Sequence, residues 1–266
     1  CARPERREAG GGCTAPTPTC GSEASAWRNE TPDATEQPRS DLVVAGAGIA
    51  GVCAAIAAAR HGLRVTLLQD RPMVGGNASS ECGVSVNGAA ISFDNAREGG
   101  IVEEIAREQA LGNTTESTTA CERLLAREPN VTVHTGQRVV GVEMATPTRI
   151  GAVTTIDTVS GAPARYAADR FVDATGDGWV GFFAGAEYRY GREARAEFDE
   201  SLAPEEADDI TMSGCIMDNT VSFRAEATDH DEPYTPPPWA PRFPSEEAFG
   251  RKIVRFEMGD WWVEHA

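Results

Sequence analysis

The sequence is short of positive charge: 24 lysines and arginines face 41 aspartates and glutamates in 266 residues, a formal charge of −17 at pH 7. Such a surface repels polyanions outside a local patch, which argues against general nucleic-acid or anionic-membrane binding. No apolar run approaches the ~18 residues of a membrane span, and no apolar segment near the N-terminus makes an intact signal peptide. The cysteines, Cys1, Cys13, Cys20, Cys53, Cys82, Cys121 and Cys215, contain no CxxC pair and no partnering histidine spacing. That removes the common zinc and thioredoxin-like arrangements, and no metal is expected. Asp229-His230-Asp231-Glu232 is rejected as a metal site, since neighbours in one loop rarely converge on one ion.

Hydrophobic residues are also missing locally. From Cys1 to Ser40 there is no Leu, Ile, Val, Met or Phe, so this stretch cannot bury enough surface to offset the entropy of ordering and is expected to be a disordered leader. Two readings of Cys1 stand: the first residue of a mature bacterial lipoprotein with a polar tether, or an arbitrary fragment start. The compartment accordingly stays open between cytoplasmic and exported. Cys53, Cys82, Cys121 and Cys215 are read as small core residues.

Order is expected to begin abruptly at Leu42. Leu42-Val43-Val44-Ala45 suits a strand buried on both faces, and Val52 to Arg60 is an alanine-rich helix former. Between them stands Gly46-Ala47-Gly48-Ile49-Ala50-Gly51, and Arg64 to Gln69 forms a second β-rich run after the helix stop at His61-Gly62. This is a βαβ unit carrying GxGxxG at its first turn, the arrangement that binds dinucleotides. Gly46 permits the tight turn, Gly48 admits a pyrophosphate close to the backbone, and Gly51 lets the helix pack against the sheet. The amides of Ile49 and Ala50, at the positive end of the helix, face the phosphates. The acidic residue that usually takes the adenosine ribose hydroxyls should stand about 20 residues further on. Here Gln69 occupies the strand tip, with Asp70 the second candidate or a turn residue before Arg71-Pro72.

The stretch Gln69-Asp70-Arg71-Pro72-Met73-Val74-Gly75-Gly76-Asn77-Ala78-Ser79-Ser80-Glu81 resembles a QDRPxxGGNxSSE segment of the FAD-dependent oxidoreductases with a glutathione-reductase-like fold, in particular a bacterial family some of whose members are labelled xanthan lyase-related. The resemblance implies FAD as cofactor rather than NAD. It further implies that Gly75 and Gly76 bring the backbone near it and that Asn77, Ser79 and Ser80 offer hydrogen bonds. It extends to Arg97–Ile105, the entry to a helix whose Ile101, Val102 and Ile105 face the core, and to Gly185–Arg195. The arginines of that last segment either bind an anionic substrate or pair with nearby acids; from Glu193 to Glu232 thirteen acidic residues face only Arg195 and Arg224.

A helix from about Glu116 to Arg127 leads to a third parallel strand, Val131–His134, in which His134 is a strand-end residue rather than a catalyst. In similar flavoproteins the next segment, Gln137-Arg138-Val139, passes the adenine, with the backbone of Val139 in contact. Short apolar stretches at Val139–Val142, Ile150–Ile156 and Ala164–Ala167 predict an antiparallel meander. Phe171–Thr175 then returns to the main sheet and ends in Gly176-Asp177-Gly178, an ATG-like turn that the resemblance places beside the cofactor through Thr175, Gly176 and Asp177.

The expected organisation is therefore α/β: a leader over 1–40, a Rossmann-like FAD/NAD(P)-binding domain over 41–185 with a parallel sheet and a meander insertion at about 137–170, and the start of a second, substrate or cap domain over 186–266. Trp239, Trp261 and Trp262 are either core or an aromatic wall for a ring. The general base is not identifiable; Glu264 and His265 are candidates only through their place in a family-like WWxE segment where the chain stops. The expected function is hydride transfer between a small, carbohydrate-like substrate and flavin. The alternatives are an NAD(P)-binding dehydrogenase, a carbohydrate-active lyase or binding protein, and a noncatalytic fragment.

Overall fold

The computed structural model describes residues 34–84, 86, 99–114, 116–188, 193–207, 229–230, 233 and 235–238. The chain divides into two compact units, 1–187 and 188–266. In chain order the first unit holds β1 (Thr35–Glu36), β2 (Ser40–Ala45), α1 (Ile49–Arg60), β3 (Val65–Leu68), a 3-10 turn (Gly76–Ala78), α2 (Gly100–Gly112) and α3 (Thr118–Leu125). There follow β4 (Val131–His134), β5 (Gln137–Thr146), β6 (Arg149–Asp157), β7 (Pro163–Asp173) and α4 (Trp179–Ala184). The second unit's described residues include one short helix, α5 (Arg195–Phe198).

The strands form one sheet in the order β4-β3-β2-β7-β6-β5, with β1 added beside β7. β4, β3, β2 and the C-terminal half of β7 run parallel, while β5, β6 and the N-terminal half of β7 make the antiparallel meander. The last meander strand and the return strand, expected as separate elements, are thus one eleven-residue strand. Pro163–Ala167 pairs with β6, and Ala168–Asp173 pairs with β2. The strand runs on through Ala168-Asp169-Arg170, which reads as a polar break, because Ala168 and Arg170 pair with Ser40 and Leu42 of β2, although Asp169 and Arg170 are exposed.

Side-chain alternation splits the core between the two faces of the sheet. Leu42, Val44, Val65 and Leu67 pack under α1, α2 and α3 with Val52, Ile56, Ile105 and Leu124. Val43, Ala45 and Leu68 face the other way, toward Val139, Val153, Tyr166 and Val180. Of the three α2 residues expected inward, Ile105 is fully buried and Ile101 packs partly against the core, while Val102 stands outside that cluster.

The segment expected to be a leader over 1–40 contributes its last residues to the sheet. Thr35 and Glu36 pair with Ala164 and Arg165, the Gln37 amide donates to the Arg165 carbonyl at 2.9 Å, and Ser40 opens β2. Apolar side chains are not needed there, because main-chain bonds and Arg165, which bridges Glu36 and Glu143 at 2.7 and 2.8 Å, hold the segment. Residues 1–33 lie outside the described residues.

Cys53 and Cys121 pack in or against the core as expected. Burial raises both thiols, Cys121 to about 12, which keeps them protonated at neutral pH. Cys82 departs from that reading: it is half-buried in the loop after the double glycine, 3.9 Å from the Arg71 guanidinium. Among the described residues no helix is long and apolar enough to cross a membrane, and no group of three or more metal-ligating side chains gathers.

Candidate functional site

At the C-terminal ends of β2, β3 and β7, where open α/β sheets bind ligands, the first unit opens into a cavity of about 1000 Å³. That is the upper end of the range for small-molecule sites, roughly 300–1,000 Å³.

Its floor is the turn between β2 and α1. Gly46 has φ +97°, and a Cβ there would stand 2.1 Å from the Ala174 carbonyl oxygen, so this turn fits only glycine. Gly51 lies beneath the turn rather than on the cavity: its Cβ would meet the Gly46 oxygen at 1.8 Å. Gly48 differs from both, with φ −65° and no atom closer than 4.0 Å to a Cβ. The protein itself leaves room for a side chain at Gly48, and that room is part of the cavity. The helix ladder starts with the Val52 amide on the Gly48 oxygen at 2.9 Å. The amides of Ile49, Ala50 and Gly51 therefore lack helical partners, no side chain caps them, and the first turn holds no acidic residue.

The double-glycine loop folds back onto this turn. The Gly75 amide donates to the Ala47 carbonyl at 2.8 Å, and a Cβ on Gly76 would lie 2.9 Å from the Gly48 Cα. Gly75, Gly76 and the exposed Asn77 line the cavity. Ser79 does not: it is 1% exposed and its hydroxyl accepts from the Glu81 amide at 3.2 Å, because the 3-10 turn rotates it inward. Ser80 also turns to the protein, its hydroxyl on Met73 Sδ and its amide donating to Thr118.

Gln69, 5% exposed, sits at the tip of β3. Its Oε1 accepts from the Ala47 amide at 2.8 Å, which fixes the orientation of the side-chain amide and turns Nε2 away from that donor. Asp70, Arg71 and Arg138 line the same end, with Arg138 3.6 Å from Asp70 and Arg71 2.9 Å from Glu81. Beside them Val139 and Val140 both face the cavity, which a regular strand would forbid. A β-bulge between Val139 and Gly141 inserts the extra residue and turns the strand. Gln137 reaches the cavity too, though its amide is engaged by Thr155 and Asp157. His134 stays outside the lining, half-buried with its ring edge to Tyr166, and burial lowers its pKa.

The fourth wall is the turn after β7. Thr175, Gly176 and Asp177 line it, but the Thr175 hydroxyl is committed: it donates to Asp173 at 2.7 Å and accepts from the Trp179 amide at 3.1 Å. The other carboxylate oxygen of Asp173 accepts from the Gly181 amide at 2.9 Å. On α4, Trp179, Phe182 and Phe183 add an aromatic face, Trp179 stacked on Phe183 with centroids 5.6 Å apart. Sequence reasoning missed this face, although aromatic residues at i, i+3 and i+4 directly after a glycine turn were a usable signal; it looked instead to Trp239, Trp261 and Trp262. Those, with Glu264 and His265, lie outside the described residues. Of the arginines in the 185–195 segment, Arg195 is described; it bonds Glu205 and the carbonyls of Ser201 and Ala203, which makes it a staple of its own loop.

A parallel βαβ unit with an uncapped glycine-turn helix over a large cavity defines a Rossmann-like dinucleotide-binding protein. Residues 41–263 match the model of the family described as FAD dependent oxidoreductase, and the chain belongs to that family. FAD is its cofactor, and the residues present fit it: unpartnered amides for a pyrophosphate, the space at Gly48 that a Cβ would fill, and a polar strand tip for a ribose.

Several solved structures are similar. They include L-proline dehydrogenase from P. horikoshii, at 19% identity over 54% of this chain and 23% of that one, TM-score 0.35. THI4 from Thermovibrio ammonificans is 19% identical over 66% of this chain and 80% of that one, TM-score 0.41. Glycerol-3-phosphate dehydrogenase from Bacillus halodurans, complexed with FAD, is 14% identical over 52% of this chain and 34% of that one, TM-score 0.34. The chain thus spans about a quarter of the proline dehydrogenase and a third of the glycerol-3-phosphate enzyme. No curated protein matches the sequence.

Proposed function

We propose that the chain works as an FAD-dependent oxidoreductase in which a hydride passes between a C–H bond of a small, carbohydrate-like substrate and the flavin. The observation that carries this reading is one cavity lined by the GxGxxG turn, the strand tip at Gln69, the double-glycine loop and the turn after β7. Bound FAD supplies the two-electron chemistry, and the protein supplies position and electrostatics. The amides opening α1, at the positive end of the helix, stabilise the pyrophosphate charge, and Gly48 lets it approach. Gln69 donates through Nε2 to a ribose hydroxyl, with Asp70 beside it. The bulged backbone at Val139 borders the adenine. Gly75, Gly76 and Asn77 border the phosphates from the other side, and Thr175, Gly176 and Asp177 close the wall. The substrate class follows the resemblance to the xanthan lyase-related members.

The visible spectrum of the purified chain is the direct test. Flavin bands at one FAD per chain are expected, whereas a colourless protein that binds NADH instead would sink the proposal.

A further inference from the structure

Nothing in the phosphate turn explains the aromatic face on the opposite wall. Trp179, Phe182 and Phe183 lie on one side of α4, and all three line the cavity. Phe183 packs partly into the core behind the sheet, and Trp179 stacks on it at an interplanar angle of 23°. Trp179 nevertheless stays 45% exposed. A tryptophan that is supported from behind and still open to a cavity is an unusual use of an apolar surface that burial would otherwise stabilise.

Topology says which part of a dinucleotide comes there. The Gln69 carbonyl accepts from the Gln137 amide at 2.7 Å, so the strand tip that faces the ribose is joined directly to the start of β5. The bulge that opens β5 follows within three residues, and α4 packs against β5. The base attached to that ribose therefore enters between the bulged main chain at Val139-Val140 and the face of α4. At the strand-tip side the charges are paired, Asp70 with Arg138 and Arg71 with Glu81, while Asp177 lines the cavity from the turn before α4.

Resting on the FAD reading, we propose that Trp179, backed by Phe183, is the stacking platform for the adenine of the cofactor. The slot then selects purine over pyrimidine by ring area, because an aromatic platform holds a base by its π-face and not by its hydrogen-bonding edge.

Binding of ADP and UDP to the full chain freed of FAD, measured by calorimetry, tests this. Trp179→Ala is expected to weaken ADP roughly 10-fold and UDP less, while Trp179→Phe keeps ADP within about 3-fold. Unchanged ADP affinity in Trp179→Ala, or an equal loss for ADP and UDP, overturns the assignment. Should Trp179→Ala fail to fold, emission decides: ADP should quench the unmutated chain, and quenching should be lost in Trp179→Phe. Quenching of equal size in both overturns the platform. If the unmutated chain binds ADP but never FAD, the proposed function fails instead.

Discussion

β2 and β7 lie side by side and parallel, and each runs into a turn and then a helix. The two turns touch at Gly46 and Ala174, yet they are built on opposite principles. After β2 the chain turns by glycine geometry alone, and the first amides of α1 receive no side chain. After β7 the turn is tied by side chains: Asp173 and Thr175 take the amides of Thr175, Trp179 and Gly181. A helix start that its own protein leaves unsatisfied suits a ligand; one satisfied from within suits structure. The cavity thus has a wall whose helix start is left open for charge and a wall whose turn is tied from within and continues into an aromatic face.

The strongest way to break this contrast is Gly46→Ala. It forces a side chain into a left-handed conformation and against the Ala174 carbonyl, joining two mechanisms of large destabilisation. A loss of about 4 kcal/mol or more is expected in urea titration followed by circular dichroism. A stable Gly46→Ala chain would show that the two turns do not lock together. Asp173→Ala attacks the other turn. Three hydrogen bonds to one solvent-exposed carboxylate are expected to cost about 2 kcal/mol when removed, read in the same titration. If the loss stays under about 0.5 kcal/mol, the second turn is not held from its side chains.

The difference between the turns also governs what was legible beforehand. A glycine that relieves a clash leaves its mark in the sequence, so Gly46, Gly51, Gly75 and Gly76 could be placed from spacing and from the QDRP segment. The parallel strands were equally readable, since burial on both faces demands unbroken apolar runs such as Leu42–Ala45. The ties that Asp173 and Thr175 make within their turn left no such mark, because an acidic and a hydroxyl residue at a strand end are compatible with many turns; the resemblance marked Thr175 for the cofactor instead. Continuity of β7 was hidden because one strand serves two sheet environments, and its exposed middle looks like a loop. The pairing of Thr35 and Glu36 was hidden because main-chain bonds and ion pairs need no apolar side chain. Ser79 was misjudged because a polar turn residue reads alike whether it faces a ligand or the protein.

Gly48→Ala sharpens the contrast, because here fold and ligand should separate. The backbone angle is ordinary and the new methyl meets nothing within 4.0 Å. Stability should stay within about 0.5 kcal/mol, as for substitutions free of strain. FAD affinity, from titration of flavin fluorescence, should nonetheless fall at least ~10-fold, about 1.4 kcal/mol, as the methyl takes the space of the pyrophosphate. Retained affinity would mean that the phosphates lie elsewhere.

Thr175→Val carries the smallest expected effect and the finest distinction. Thr175 lines the cavity, and the sequence marked it as a cofactor residue, but its hydroxyl already donates to Asp173 and accepts from the Trp179 amide. A hydroxyl has one proton to give, and this one is given within the turn. Valine keeps the shape and removes both bonds, so about 1 kcal/mol of stability should be lost while FAD affinity moves less than about 2-fold. The reverse pattern, full stability with a tenfold weaker cofactor, would make the hydroxyl a ligand group. In that case the turn after β7 would stand beside the one after β2 as a binding turn, and the contrast between the two walls would dissolve.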